Sequence, residues 1–151
     1  MKGQVSTELL VIVGFVLLIF IPLLVLVYIK ANDSNQQIAS YQAELVVSRL
    51  GSLANSVGSL GTNTEVITDV YVPPNTISLT TNAAGRGSEI TLKMETSQGE
   101  TEVVEIVKYP VDAPTDPYEI VGKTPSGGWV KIRITSTYTA GEAHIKIERV
   151  T

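Results

Sequence analysis

The chain has 151 residues, of which 44% are hydrophobic, and a net charge of -4. This length leaves room for one membrane-length segment and one small domain, and it excludes two domains that each bury their own core. The absence of cysteine excludes a disulfide framework, a thiolate nucleophile and a cysteine-ligated metal. Residues 1–61 balance to zero charge, so residues 62–151 carry the whole of the -4. An acidic domain argues against a nucleic-acid partner, which would require a basic face.

The first element is an apolar run of 21 residues without a charge, from Leu9 to Ile29. A helix rises about 1.5 Å per residue, so the run reaches roughly the 30 Å of a bilayer's hydrocarbon core. A secretory signal has a shorter apolar core followed by a small-residue cleavage site, and neither feature is present here. We therefore predict a membrane-spanning helix. The position of Lys2 directly before the run favours an N-terminus on the cytoplasmic side.

A single carboxylate, Glu8, stands at the edge of this run. An ionised acid in lipid costs several kcal/mol unless it is paired, which makes such a residue a functional candidate. Alternatively, Glu8 lies in the headgroup layer, where the positive end of the helix dipole favours a negative charge. The residue types alone leave both interpretations open.

The segment Lys2-Gly3-Gln4-Val5-Ser6-Thr7-Glu8-Leu9 resembles the class III signal peptide of archaeal type IV pilins. The resemblance covers about the first thirty residues and includes a Gln-x-Ser-x-Glu pattern at Gln4, Ser6 and Glu8. It implies that a prepilin peptidase removes residues 1–3 by cutting between Gly3 and Gln4. Glu8 would then be the fifth residue of the mature chain, and it would pair with the Gln4 amine of a neighbouring subunit.

The resemblance also implies partners and a location. The chain would sit in the cytoplasmic membrane as a precursor, with its head outside, and then enter an extracellular filament. Its partners would be other copies of itself in a helical homopolymer, the prepilin peptidase, the lipid bilayer before assembly, and the membrane platform and assembly ATPase of a pilus system. The expected role is that of a structural subunit for adhesion or surface interaction. The alternatives are a minor pilin or a singly anchored extracellular binding module that never polymerises.

Beyond the apolar run, residues 31–36 form a polar patch of poor helix formers, which predicts either a soft point in one long helix or a short break. Asn32-Asp33-Ser34 is also an N-glycosylation sequon. Helical periodicity returns over residues 37–60 and ends at glycines 58 and 61. We expect the following apolar residues to pack against the head: Ile38, Tyr41, Leu45, Val46, Leu50, Leu53, Val57 and Leu60.

After residue 61 the composition changes to threonine, valine, isoleucine and turn residues. Alternating runs separated by turn signals predict seven strands, at 65–72, 76–80, 88–96, 101–108, 118–122, 129–137 and 142–150. The predicted fold is therefore α+β. A long N-terminal helix over residues 4–61 precedes a small antiparallel β-sheet or β-sandwich head over residues 62–151.

No catalytic constellation is recognised in the sequence, so an enzyme is not expected, and no cofactor or metal is expected either. Alternation assigns His144, the only histidine, to the outward face of the last strand. Asp112, Asp116 and Glu119 lie in a proline-rich stretch whose spacing does not match a calcium loop, which favours a solvated loop. Three glutamates, at positions 100, 102 and 105, predict a solvent-facing strand edge.

Overall fold

A computed structural model describes residues 2–82, 87–113, 118–139 and 141–150. It contains one long helix followed by a β-rich region, which confirms the α+β fold class. The elements are α1 (Lys2–Leu60), β1 (Glu65–Val72), β2 (Thr76–Thr81), β3 (Glu89–Thr96), β4 (Gly99–Ile106), β5 (Val111–Asp112), β6 (Tyr118–Val121), β7 (Gly128–Thr139) and β8 (Glu142–Arg149).

Helix α1 runs without interruption through the polar patch at residues 31–36, so the break allowed by the sequence is not formed. Pro22 lies inside the helix, as membrane helices tolerate. The helix ends at Leu60, and Gly61 follows with φ 93°, the left-handed conformation that commonly terminates a helix. The chain divides into two compact units, Met1–Gln37 and Ile38–Thr151, each of which is described separately below.

The second unit contains two four-stranded sheets, with strand orders β1-β7-β8-β5 and β4-β3-β2-β6. All pairings are antiparallel except that of β5 with β8. Inward residues are buried at every second position, most clearly along β7. Buried positions therefore include Ile132 and Ile134 of one sheet and Leu92 and Met94 of the other.

The buried face of α1 differs from the predicted one. Val46, Leu50 and Val57 are buried as expected, but the large side chains Ile38, Tyr41, Leu45 and Leu60 are exposed. Val47 and three small residues complete the buried face instead: Ala39, Ala43 and Ala54. Alanine lets a helix approach a neighbouring element closely, and the packing therefore turns the bulky side chains toward solvent.

Contacts along the C-terminal half of α1 tie it to edge strands of both sheets. Arg49 Nη2 donates a hydrogen bond to Thr68 Oγ1 on β1 at 3.1 Å. The backbone N–H of Lys108, just after β4, donates to Asn55 Oδ1 at 2.8 Å. The helix therefore lies between β1 and the end of β4, where it covers the core.

The seven predicted strands are present with boundaries within two residues of the predicted ones, and two differences have an evident structural cause. β4 spans Gly99–Ile106 and not 101–108, because the N–H groups of Val107 and Lys108 bond to Ser88 and Asn55 outside the sheet. β5 lies within the stretch predicted as a solvated loop, and that prediction was wrong for Asp112. The parallel pairing of β5 to β8 is only two residues long, which is too short to produce an alternating pattern.

Candidate functional sites

The predicted processing and assembly residues lie at the start of α1. Gly3 and Gln4 lie in its first turn. Glu8 is exposed and borders a shallow concavity that it shares with Thr7, Val11 and Ile12. A carboxylate therefore stands directly beside apolar side chains at the edge of the apolar run.

The apolar run itself is entirely uncovered in the single chain. Every large hydrophobic side chain from Leu9 to Ile29 is between 45% and 77% exposed. Monomeric soluble proteins rarely expose contiguous apolar patches larger than a few hundred Å², so this surface needs lipid or protein to cover it. Among the described residues, this helix is the one long and apolar enough to cross a membrane, as judged by length and composition.

Asn32, the predicted glycosylation residue, is helical and exposed. Its neighbours in the sequon, Asp33 and Ser34, are exposed as well. The side chain is therefore accessible, and its modification stays a prediction.

The second unit carries an apolar groove that the sequence did not predict. Three elements form it, with Gln42, Leu45, Val46 and Arg49 from α1, Val70 and Tyr71 from β1, and Trp129 from β7. Its volume is about 420 Å³. We call these seven residues the aromatic groove. Among the described residues that line it, Arg49 is the only charged one.

Trp129 dominates the surface of the aromatic groove. It is 71% exposed, and its ring meets that of Tyr71 edge to face, with 5.5 Å between the ring centroids. The pairing of β1 with β7 puts these two residues directly opposite each other. Alternation alone identifies Trp129 as an outward residue, because its neighbour Val130 is inward. The outward position of Trp129 is therefore the feature of the sequence from which this groove could have been predicted.

Asp112 and His144 form a polar cluster on the outer face of the first sheet. His144 Nδ1 lies 2.7 Å from Asp112 Oδ1, and Thr137 Oγ1 donates to Asp112 Oδ2 at 3.4 Å. The His144 side chain is 20% exposed, so it is more enclosed than the surface histidine predicted from alternation. The short strand β5 brings Asp112 to it. The pair therefore fastens β5 to β8.

Glu100 and Glu102 form the predicted solvent-facing edge, since both are exposed and β4 is the outermost strand of its sheet. The prediction was wrong for Glu105, which is half-buried and lies against Gly51 of α1, because alternation turns it to the opposite face of the strand. Lys93 Nζ on β3 contacts Glu102 Oε1 at 2.8 Å and Glu100 Oε2 at 3.6 Å. The hydrogen bond to Glu102 and the charge of that residue raise the pKa of Lys93 above its ordinary value of 10.5.

Glu119 is exposed on β6, and Asp116 lies outside the described residues. Within the described ranges, no group of three or more His, Cys, Asp or Glu side chains is arranged to hold a metal ion.

Comparisons with known proteins give no relative, because no protein-family model, curated protein or solved structure matches the chain. A functional assignment therefore rests on the N-terminal motif, the exposed apolar helix and the surface of the β-rich unit.

Proposed function

We propose that this chain is a structural subunit of a type IV pilus-like surface filament. A prepilin peptidase would cut between Gly3 and Gln4, and the chain would polymerise through the apolar part of α1. The membrane platform and assembly ATPase of a pilus system would act on the membrane-held precursor. The head would be extracellular and would serve adhesion or surface interaction.

One observation carries the proposal. The signal-like segment Lys2–Leu9 runs directly into an apolar helix segment that is exposed along its whole length, and that helix continues into a β-rich unit. A soluble domain would bury such a surface within itself. A subunit that moves from lipid to a filament must instead keep that surface available for two different surroundings.

The physics of this transfer gives Glu8 its role. Lipid tails are as apolar as leucine, so moving the helix from lipid into a bundle gains little from the hydrophobic effect. Packing and specific polar pairs must then select the arrangement. Glu8 is costly in lipid while it is unpaired, and a Gln4 amine on a neighbouring chain would satisfy it. Because proteolysis after Gly3 creates that amine, processing would be coupled to assembly.

Substitution of Glu8 tests the proposal. In Glu8→Gln the peptidase site is intact, so we expect a processed chain that stays in the membrane and is lost from sheared filaments. Glu44→Gln is the matched control, since Glu44 is an exposed glutamate on the same helix. Normal filament yield from Glu8→Gln would contradict the pairing role. Normal processing of a Gly3→Val chain would contradict the cleavage site.

A second candidate function is a singly anchored binding module that does not polymerise. The exposed indole of Trp129 in the aromatic groove favours it, because ligand sites are typically apolar clefts with a few polar groups. Abundance separates the two functions. A major subunit is present in bulk in sheared filaments, whereas an anchored module stays in the membrane fraction.

A further inference from the structure

The β-rich unit has a second exposed apolar patch besides the aromatic groove, and it lies on β4. Val104 is 49% exposed and Ile106 is 70% exposed. In the register with β3, Val104 is opposite Thr91, Ile106 is opposite Glu89, and Glu102 is opposite Lys93. Val104 and Ile106 therefore share one face of the strand with the acidic residues Glu100 and Glu102. We call these four residues the β4 face.

The two patches are complementary in polarity and in charge. The aromatic groove is apolar, with Arg49 at its rim, and it offers an exposed indole. The β4 face carries two apolar side chains in line with two carboxylates. Lys93 offsets only part of that negative charge, because Glu95 is also exposed and lies opposite Glu100. A basic rim favours a partner whose apolar residues are flanked by acids.

We propose that the aromatic groove receives the β4 face of a second copy of this chain. Ile106 and Val104 cover the indole of Trp129 and the side chain of Leu45, and Glu102 or Glu100 approaches Arg49. This inference rests on the proposed filament function, since it names the surfaces through which neighbouring heads meet. It also accounts for Leu45, a large side chain of α1 that is exposed and lines the groove.

The two patches lie on different sheets of the unit, so the groove and the β4 face that meet are different surfaces. A groove that binds a different surface on its partner is a heterologous contact, which gives a ring where the rotation closes and an open helical filament where it does not. The filament function requires the open arrangement, in which each bound copy still has a free groove or a free β4 face.

The size of the groove sets the conditions under which the contact forms. A stable free complex buries about 1,200–2,000 Å² in total, and a cleft lined by seven residues supplies only part of that area. Chains held side by side by their apolar helices meet at a high effective concentration, so a weak contact is occupied there. We therefore expect occupancy in assembled or membrane-held chains.

Engineered cysteines test the contact cleanly, because the chain has no cysteine of its own. Gln42→Cys in the groove is combined with Ile106→Cys on the β4 face, in the full chain expressed in its own cells. After oxidation or treatment with a short bis-maleimide, we expect a ladder of multimers in filaments on a denaturing gel. The control pair is Tyr138→Cys with Ile106→Cys. Tyr138 is 62% exposed but lies at the end of β7 opposite to Trp129.

The outcomes separate this inference from the proposed function. Filaments without a Gln42–Ile106 ladder, or with an equal ladder in the control pair, would overturn the docking and leave the filament function standing. A ladder in membranes of cells that make no filament of this chain would support the docking and overturn the filament function. If the cells yield no filaments and no cross-linked ladder, both the docking and the filament function are overturned.

A charge reversal gives a second, independent test. Arg49→Glu alone and Glu102→Arg alone should each lower the cross-linked fraction of the Gln42/Ile106 cysteine pair by about fivefold. The double reversal should restore it. A double variant that cross-links no better than the two single variants would remove Arg49 and Glu102 from the contact.

Discussion

A methyl group at Gly58 should destabilise the β-rich unit, although it favours the helix in which it lies. Gly58 is buried on α1, and a Cβ there would meet the ring of Tyr109, with the ring Cγ at 2.8 Å and Cε2 at 2.7 Å. Real Cβ atoms do not approach neighbours so closely, so the aromatic ring would have to move. The glycine is therefore needed for packing rather than for backbone conformation.

Two opposing terms set the magnitude of Gly58→Ala. Alanine stabilises a helix by about 1 kcal/mol relative to glycine. Overpacking of a well-filled core costs about 1–3 kcal/mol. We therefore expect a net loss of up to about 2 kcal/mol. Gly14→Ala is the control on the same helix, because a Cβ at Gly14 meets no other atom within 4 Å.

The assay is urea unfolding of the purified full chain in detergent, followed by circular dichroism. Gly58→Ala should lower the midpoint, and Gly14→Ala should leave it unchanged or raise it. In a Tyr109→Ala background the obstruction is gone, so Gly58→Ala should become stabilising by about 1 kcal/mol. An effect of Gly58→Ala that is the same with and without the Tyr109 ring would refute the reasoning.

Three further predictions concern the core and the polar pairs of the same unit. Leu50→Ala removes a fully buried side chain and should cost about 2–5 kcal/mol in urea unfolding; a loss below 1 kcal/mol would contradict its place in the core. Asp112→Asn and His144→Gln should show a coupling of about 0.5–1 kcal/mol in a double-mutant cycle, since the pair is partly exposed; additive effects would mean that the pair does not fasten β5. A raised folded-state pKa means that Lys93 contributes stability below pH 10.5 and loses it as the pH rises through the raised value. Unfolding midpoints of wild type and Glu102→Gln should therefore converge above that pH, and parallel profiles would argue against the pair.

Most of the β-rich unit is predictable because its strands are half-buried. Alternation of apolar and polar residues marks a strand with one face on a core, and β1, for example, begins and ends at the predicted residues 65 and 72. The buried residues of β7 follow the same alternation, at Val130, Ile132 and Ile134. Local pattern was enough because each strand carries its own signal.

The parts that could not be predicted depend on contacts between distant residues. The buried face of α1 was mistaken because large apolar side chains were assigned to the core, whereas close packing selects Ala39, Ala43 and Ala54. The pairing of Asp112 with His144 needs a two-residue parallel strand that has no pattern of its own. The aromatic groove joins α1 to β1 and β7 across more than twenty residues of sequence, so no local motif could define it.

The candidate assembly residues, in contrast, are recognised from the sequence, and the structure of a single chain adds little about their roles. The N-terminal motif is legible in the sequence because it is short and contiguous, from Lys2 to Leu9. The roles proposed for Gly3, Gln4 and Glu8 would involve a peptidase and a neighbouring subunit, and a single chain contains neither of them. The structure of one chain therefore contributes the exposure of Glu8 and of the apolar run, and the roles themselves need a measurement on the assembled protein.

The most direct test of the account is the N-terminal residue of the protein recovered from sheared surface filaments and from membranes of the same cells. The account predicts that the filament fraction contains the chain in bulk and that it begins at Gln4. A chain that begins at Met1 and is found only in the membrane fraction would contradict both the processing and the filament role.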